Sequence, residues 1–226
     1  LLKFLKRHPV LGCLFILTMC GGMWLISGSC QTKELDASIR EPRLRKLEIK
    51  ELLSIWEKPR LGDLLLIRGS GLAGSWISQL DTASLGHSHI GLLVNLKPIR
   101  ILHILGNEGE PHSQIVQLKT FLENTLAKPW TILRSKNTEI AKRASEIGVE
   151  LHQNGIEYDY AFDFEDKTKL SCTELPWVAF ENAAIESVSR PEVLDGFYYR
   201  LGKKWVSIGG FLNSKLFKVH HQELMK

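Results

Sequence analysis

The stretch SHIGLLVNLKPIRILHIL, residues 88–105, carries the pattern that decides the fold. Its two halves, residues 89–94 and 99–105, are rich in Ile, Leu and Val, which suit a pleated and largely buried surface. A polar turn that contains Pro98 separates them and sends the chain back on itself. The stretch therefore predicts two adjacent strands, with His89 on the first and His103 on the second.

Segments on both sides of these strands alternate between helical and strand patterns. Apolar residues at helical spacing predict helices at about residues 44–56, 72–80, 120–126, 138–151 and 171–184. Short apolar runs predict further strands at about residues 64–67, 115–118 and 130–133. This order of elements predicts an α+β fold, in which a largely antiparallel sheet packs against helices.

The first 30 residues have the composition of a targeting segment. LLKFLKRHP is basic, and residues 10–26 carry no charge. A basic start followed by an apolar run predicts a signal peptide or a membrane anchor. Small residues precede Cys30 as in a bacterial lipobox, although Ser27 stands where Leu is usual. The sequence therefore also predicts lipidation of Cys30, which would tie the chain to a membrane.

These features predict three regions. Residues 1–30 are a signal peptide or anchor, residues 31–59 a tether with a short helix, and residues 60–226 the main domain. The expected location is the cell envelope of a bacterium, where the main domain is held at the membrane and faces the periplasm.

The charge balance and the cysteine count argue against several classes of function. Without Lys3, Lys6 and Arg7, 26 basic side chains face 25 acidic ones, so no basic face for nucleic acid is expected. Cys172 stands alone in the main domain, and no Cys/His spacing typical of zinc occurs. His87 and His89 form a His-x-His pair without a third ligand. We predict no metal and no cofactor.

Cys172 is the candidate nucleophile. The segment Ser171-Cys172-Thr173-Glu174 opens an apolar helix, and Ser171 and Glu174 have the spacing of a capping box. A cysteine in a first helical turn faces unpaired N–H groups, which lower its pKa and favour the reactive thiolate. The same N–H groups can stabilise an oxyanion. The alternative is a buried structural cysteine.

A cysteine nucleophile needs a base, and His89 is the candidate because it opens its strand at the rim of the sheet. His103 on the neighbouring strand can orient His89, as the third member of a triad does. The alternative for His103 is a hydrogen-bonded core histidine. Trp76 is a candidate lining residue of the substrate pocket, although it also suits the core.

Four motifs in this order and spacing resemble the YiiX-like branch of the NlpC-type hydrolases. They are Gly62-Asp63, Ser88-His89-Ile90-Gly91, Tyr158-Asp159-Tyr160-Ala161-Phe162 and Ser171-Cys172-Thr173-Glu174-Leu175. The resemblance covers about residues 61–184 and implies a circularly permuted papain-like fold, in which the histidine precedes the cysteine.

The resemblance also implies a role for each matching residue. It makes Cys172 the nucleophile and His89 the general base, and it places Tyr158 and Asp159 at the pocket. His103 stands where the family often has glutamate, so Glu108 or Glu110 nearby can take the third role instead.

The function that follows is a cysteine hydrolase that cleaves an amide bond through an acyl-enzyme. The resemblance implies that the substrate is a cell-wall peptide or a lipid amide. Two alternatives stay open: a non-catalytic binding scaffold on the same fold, and an acyltransferase that passes the acyl group between lipids.

Overall fold

The structure is a computed structural model that describes residues 49–69, 81–106, 112–123, 125–161, 163–184, 192–193 and 204–224. All of these residues belong to one compact unit, Pro42–Lys226. Among them, no helix combines the length and the apolar character that crossing a membrane requires. Cys30, Trp76, Glu108 and Glu110 lie outside the described residues, as do the predicted targeting segment and most of the tether.

A six-stranded antiparallel sheet forms the centre of the unit, with the strand order β10-β5-β1-β2-β3-β4. Its strands are β1 (Leu64–Gly69), β2 (His89–Leu96), β3 (Ile99–Ile104), β4 (Ser113–Gln117), β5 (Thr125–Ser135) and β10 (Phe217–Glu223). The short pairs are β6 (Glu157–Tyr158) with β7 (Lys169–Leu170), and β8 (Glu192–Val193) with β9 (Lys204–Trp205). The predicted α+β class with a mostly antiparallel sheet is confirmed.

Five α-helices are described: α1 (Ile49–Ile55), α2 (Leu118–Leu122), α3 (Thr138–Gln153), α4 (Glu174–Ala183) and α5 (Ile208–Leu212). The longest, α3, begins where the sequence predicts, because the side chain of Asn137 accepts hydrogen bonds from the backbone N–H groups of Glu139 and Ile140. Gly155 follows the helix with φ of +71°, a conformation that glycine adopts without strain.

The sheet separates two apolar clusters. Side chains alternate along each strand, so neighbours such as Leu64 and Leu65 point to opposite faces. Leu64 packs with residues of α3 and α4 in the first cluster, whereas Leu65 packs with residues of α1 and α2 in the second. Both clusters are almost free of solvent, which provides the main driving force for folding.

A buried ion-pair network holds α1 against the sheet at the start of β1. Both oxygens of Asp63 accept hydrogen bonds from Arg134, at 2.8 Å from Nε and 2.7 Å from Nη2. The indole N–H of Trp56 and the backbone N–H of Arg60 also donate to Asp63. We call these four residues the Asp63 network. Gly62 precedes it with φ of +80°, and a Cβ there would overlap the carbonyl of Ala141.

The C-terminal segment differs from the prediction. No strand is predicted there, but residues 217–223 form β10, an edge strand paired with β5. Polar residues such as His220 and Gln222 suit an edge strand, because one of its sides is not covered by another strand. The alternation is also interrupted by a register shift between Val219 and His221, so the period-two signal is weak.

Candidate functional site

His89 and His103 are direct neighbours, as the sequence predicts. His89 opens β2 and His103 lies on β3, and their Nε2 and Nδ1 atoms are 3.1 Å apart. Both rings pack against Phe121 of α2, with centroid distances of 5.7 Å and 5.1 Å. Gly91 lies two residues after His89 on β2, and a Cβ there would overlap the side chains of Ile101 and Phe121. The glycine of the Ser-His-Ile-Gly motif therefore makes room for this packing.

Burial keeps both imidazoles neutral. It lowers the pKa of His89 to about 3, with a further lowering from the neighbouring His103, and it lowers the pKa of His103 to about 4. At neutral pH each ring then carries one proton. For Nδ1 of His89 to accept a proton, Nε2 of His89 must donate to Nδ1 of His103. In that tautomer the proton of His103 is on Nε2.

Some polar atoms near the start of β2 have no hydrogen-bond partner among the described residues. They include Nε2 of His103, Nε2 of His87 and Oγ of Ser84, all of them buried. The ring of His87 is fixed because its Nδ1 donates to the carbonyl of Ser84. Burial lowers the pKa of His87 to about 4, so its Nε2 carries an unused lone pair at neutral pH.

Cys172 lies immediately before α4 rather than in its first turn. Thr173 is the N-cap and the helix begins at Glu174. The predicted capping-box contacts are present, since Ser171 N–H donates to Oε2 of Glu174 at 2.8 Å and Glu174 N–H donates to Oγ of Ser171 at 3.3 Å. This start leaves Pro176 in the first turn of the helix, where its missing N–H costs little.

The predicted lowering of the thiol pKa is wrong for this conformation. The backbone N–H groups of Cys172 and Thr173 do lower the pKa of Cys172, as the sequence analysis expects of N–H groups at a helix start. Burial has the larger and opposite effect, and nearby Glu174 adds to it, so the pKa of Cys172 rises to about 12. Only 7% of the residue is exposed. The resting thiol is therefore neutral.

Tyr158 and Asp159, the predicted pocket residues, are both buried near this region. Tyr158 packs in the same apolar cluster as Cys172. Burial raises the pKa of Tyr158, and a thiolate at Cys172 would raise that pKa further. Asp159 is 1% exposed, and its side chain accepts hydrogen bonds from the backbone N–H groups of Ala161 and Asp163. It shapes the loop that leads towards Cys172.

The histidines and the cysteine belong to different packing environments. Cys172 is a member of the first cluster, with residues of α3 and α4. His89 and His103 contact Phe121, which is a member of the second cluster. We call His89, His103 and Cys172 the reactive set. The two clusters lie on opposite faces of the sheet, so the structure pairs the two histidines but does not bring Cys172 into contact with either of them. The assignment of His89 as the base of Cys172 stays a prediction.

The loop between β6 and β7 is more ordered than the sequence predictions state. Aspartate side chains at positions 159, 163 and 166 each accept a hydrogen bond from a backbone N–H two residues later. The signal was in the sequence, because the spacing of aspartates in YDYAFDFEDKT is typical of successive Asx turns.

Comparison with known proteins identifies the fold. The structure is similar to the crystal structure of metalloprotein yiiX from Escherichia coli O157:H7, with a TM-score of 0.61 and 18% sequence identity. The match covers 74% of this chain and 99% of that chain. No family model and no curated protein matches the sequence. The predicted YiiX-like fold is therefore confirmed, at a level of identity that defines architecture and not activity.

Proposed function

We propose that the protein is a cysteine hydrolase, in which Cys172 attacks the carbonyl of an amide and His89 takes the thiol proton. The sulfur forms a bond to the carbonyl carbon, and the amine leaves with a proton returned by His89. Water then attacks the thioester, releases the acid and restores the thiol. A permuted papain-like arrangement of the YiiX-like fold is part of this proposal.

The observation that carries the proposal is the hydrogen bond of 3.1 Å between Nε2 of His89 and Nδ1 of His103. In the tautomer in which Nε2 of His89 donates in this bond, Nδ1 of His89 is the nitrogen that is left to act as a base. A neighbouring side chain that accepts this hydrogen bond orients the ring of the base, as the third member of a triad does. His103 takes the third role in this proposal.

The pKa values favour proton transfer during attack over a preformed thiolate. With the pKa of His89 at about 3 and that of Cys172 at about 12, the neutral pair is the stable resting state. Because Cys172 packs with the cluster on the other face of the sheet from His89, the reaction requires a rearrangement that brings the sulfur to Nδ1 of His89. The sulfur then becomes nucleophilic only as its proton moves to that nitrogen. The backbone N–H groups of Cys172 and Thr173, which contact the sulfur, support the proposal because such groups stabilise developing negative charge.

The structural neighbour is named a metalloprotein, but the described residues do not fit a metal. They contain no group of three His, Cys, Asp or Glu side chains that could hold an ion. The rings of His89 and His103 are also hydrogen-bonded to each other, so one nitrogen of each is already engaged. The proposed reaction contains no step through a metal.

The substrate class and the location complete the proposal. We infer an amide of a cell-wall peptide or a lipid as the substrate, and a bacterial cell envelope as the setting. The basic and apolar composition of residues 1–26 and the small residues before Cys30 support export and attachment to a membrane.

Hydrolysis of peptidoglycan fragments and lipid amides by the whole chain tests the proposal. We expect Cys172→Ala and His89→Ala to lower kcat/KM at least about 100-fold, the usual contribution of a nucleophile or a general base. His103→Asn should lower it about 10-fold. Two residues provide matched controls: His112, which is exposed in the structure, and Cys13, which the sequence places in the apolar run. His112→Ala and Cys13→Ala should retain full activity.

The pH profile of kcat/KM provides a second test. Because burial holds the pKa of His89 near 3, the base stays unprotonated and the rate should not fall between pH 7 and pH 5. A loss of rate centred near the ordinary histidine pKa of about 6.5 would contradict this role of His89.

A non-catalytic scaffold is the second candidate, and the buried neutral thiol of Cys172 favours it. In that case wild type and Cys172→Ala should bind the same peptides or lipids with equal affinity, and neither should turn them over.

A further inference from the structure

The loop between β6 and β7 carries a second group of side chains, part of which packs against the apolar cluster that contains Cys172. The side chains of Asp159, Asp163 and Asp166 each accept hydrogen bonds from backbone N–H groups within the loop. Such turns hold a loop in one conformation. The loop therefore presents Phe164 and Lys167 in defined positions, a few residues before Cys172 in the chain.

Two aromatic rings from this loop and from α4 meet at a corner. The centroids of Phe164 and Trp177 are 5.0 Å apart, and the planes of the rings are inclined by 62°. Both residues are half-buried. We call these two rings the aromatic corner.

A cation already lies in the aromatic corner. Nζ of Lys167 is 3.3 Å from the centroid of Phe164 and 5.2 Å from that of Trp177, and it also donates to the carbonyl of Phe164. Ring faces attract cations within about 6 Å, and cages of such rings are a common means of binding alkylammonium groups. Lys167 itself is exposed to solvent, so its ammonium group can leave the corner without breaking a buried contact.

Acidic residues make the surroundings favourable to positive charge. Asp163, Glu165 and Asp166 belong to the same loop, and Glu165 also pairs with Lys204 at 3.5 Å. Burial raises the pKa of Glu174, and the charge of Lys167 opposes this rise, so the two side chains are within electrostatic range. Trp177 follows Glu174 by three residues, so both lie on one side of α4. Glu174 in turn contacts Ser171, next to Cys172, through the capping box. The corner therefore lies one helical turn from the segment that carries the thiol.

We propose that the aromatic corner is a substrate subsite for an alkylammonium group, and that Lys167 occupies it in this structure as an internal competitor. The term substrate rests on the proposed hydrolase function, whereas the binding of the ammonium group does not. The corner accepts a primary amine or a quaternary ammonium group by the same chemistry, and these two kinds of ligand are separated by the choice of probe.

Isothermal titration of the whole chain with tetramethylammonium and with n-butylammonium tests the subsite. Lys167→Ala removes the ammonium group of Lys167 from the corner. We expect at least one of the two cations to bind this variant about 3- to 30-fold more tightly than wild type, the range of one cation–π contact. Tighter binding of tetramethylammonium alone would assign the site to quaternary groups, and of n-butylammonium alone to primary amines. Lys169→Ala is the matched control, because Lys169 is a nearby exposed lysine that pairs with Glu157 instead. It should bind both cations as wild type does.

Removing one of the two rings tests whether the aromatic corner causes the tighter cation binding of Lys167→Ala. Trp177→Leu or Phe164→Leu, added to Lys167→Ala, should return the affinity to the wild-type level, and far-UV circular dichroism identifies which of the two double variants is folded. Equal binding by wild type and Lys167→Ala, or tighter binding that survives loss of a ring in a folded variant, would overturn the subsite. The same titration with Cys172→Ala separates the subsite from the proposed hydrolase. This variant cannot hydrolyse a substrate, so any cation binding that it retains does not depend on the hydrolase activity.

Discussion

The Asp63 network and the reactive set both consist of buried polar side chains, but they differ in how fully their hydrogen-bonding groups are used. Both oxygens of Asp63 accept hydrogen bonds, and Arg134 donates to them from two nitrogens. In the reactive set, by contrast, Nε2 of His103 is buried without a partner among the described residues. Buried polar groups are normally satisfied, so an exception requires an explanation such as a chemical role.

The two groups also differ in charge. Asp63 and Arg134 are oppositely charged and 2.7 Å apart, so each ion stabilises the other in the interior. His89, His103 and Cys172 are all neutral, because burial disfavours the charged form of each. The difference indicates that the Asp63 network stabilises the fold. Gly62-Asp63 and His89 both belong to motifs of the YiiX-like resemblance, but the role of Asp63 is structural.

The largest expected effect tests the structural role of the Asp63 network. Asp63→Ala removes both acceptors and leaves the guanidinium of Arg134 buried without its counter-ion, so the free energy of unfolding should fall by about 3–5 kcal/mol. Urea denaturation measures this. The exposed pair of Arg143 and Glu146 is the control, and Arg143→Ala should change stability by less than about 1 kcal/mol. Similar losses of stability in Asp63→Ala and Arg143→Ala would contradict the structural role of the Asp63 network.

The second prediction concerns the low reactivity of the buried, neutral thiol of Cys172. With the thiol neutral and 7% exposed, iodoacetamide at pH 8 should modify Cys172 about 100- to 1000-fold more slowly in the native chain than in urea. Peptide mass spectrometry follows Cys172 separately from Cys13, Cys20 and Cys30. Modification as fast in the native chain as in urea would show an open, reactive thiol and contradict the resting state described above.

The smallest effect is on the pH dependence of stability. The pKa of His103 is near 4 in the folded protein and near the ordinary value of about 6.5 when unfolded, so the unfolded state binds more protons between these values. Stability therefore falls as pH drops from 7 to 5. His103→Asn should reduce this fall by about 1–2 kcal/mol. Exposed His112 is the control, and an equal reduction in His112→Asn would contradict the assignment.

The sequence predicted the elements whose signals are local. The α3 helix has an Asn cap, an apolar stripe and a terminating glycine, and all three depend on residues near each other in the chain. The neighbouring positions of His89 and His103 also follow from a single hairpin, whose strands the turn at Pro98 brings together. Edge strand β10 was not predicted because its polar residues carry little strand signal of their own. It forms by pairing with β5, which is distant in the chain.

What the sequence by itself determined is the chemical inventory: one cysteine in the main domain, two histidines on adjacent strands, and the order of helices and strands. What only the tertiary structure decided is the ionisation of these groups and the cluster to which each belongs. The direction of the pKa shift of Cys172 depends on how much protein surrounds the sulfur, and residues from several distant elements supply that protein. Local backbone N–H groups favour the thiolate, but the desolvation produced by long-range packing outweighs them.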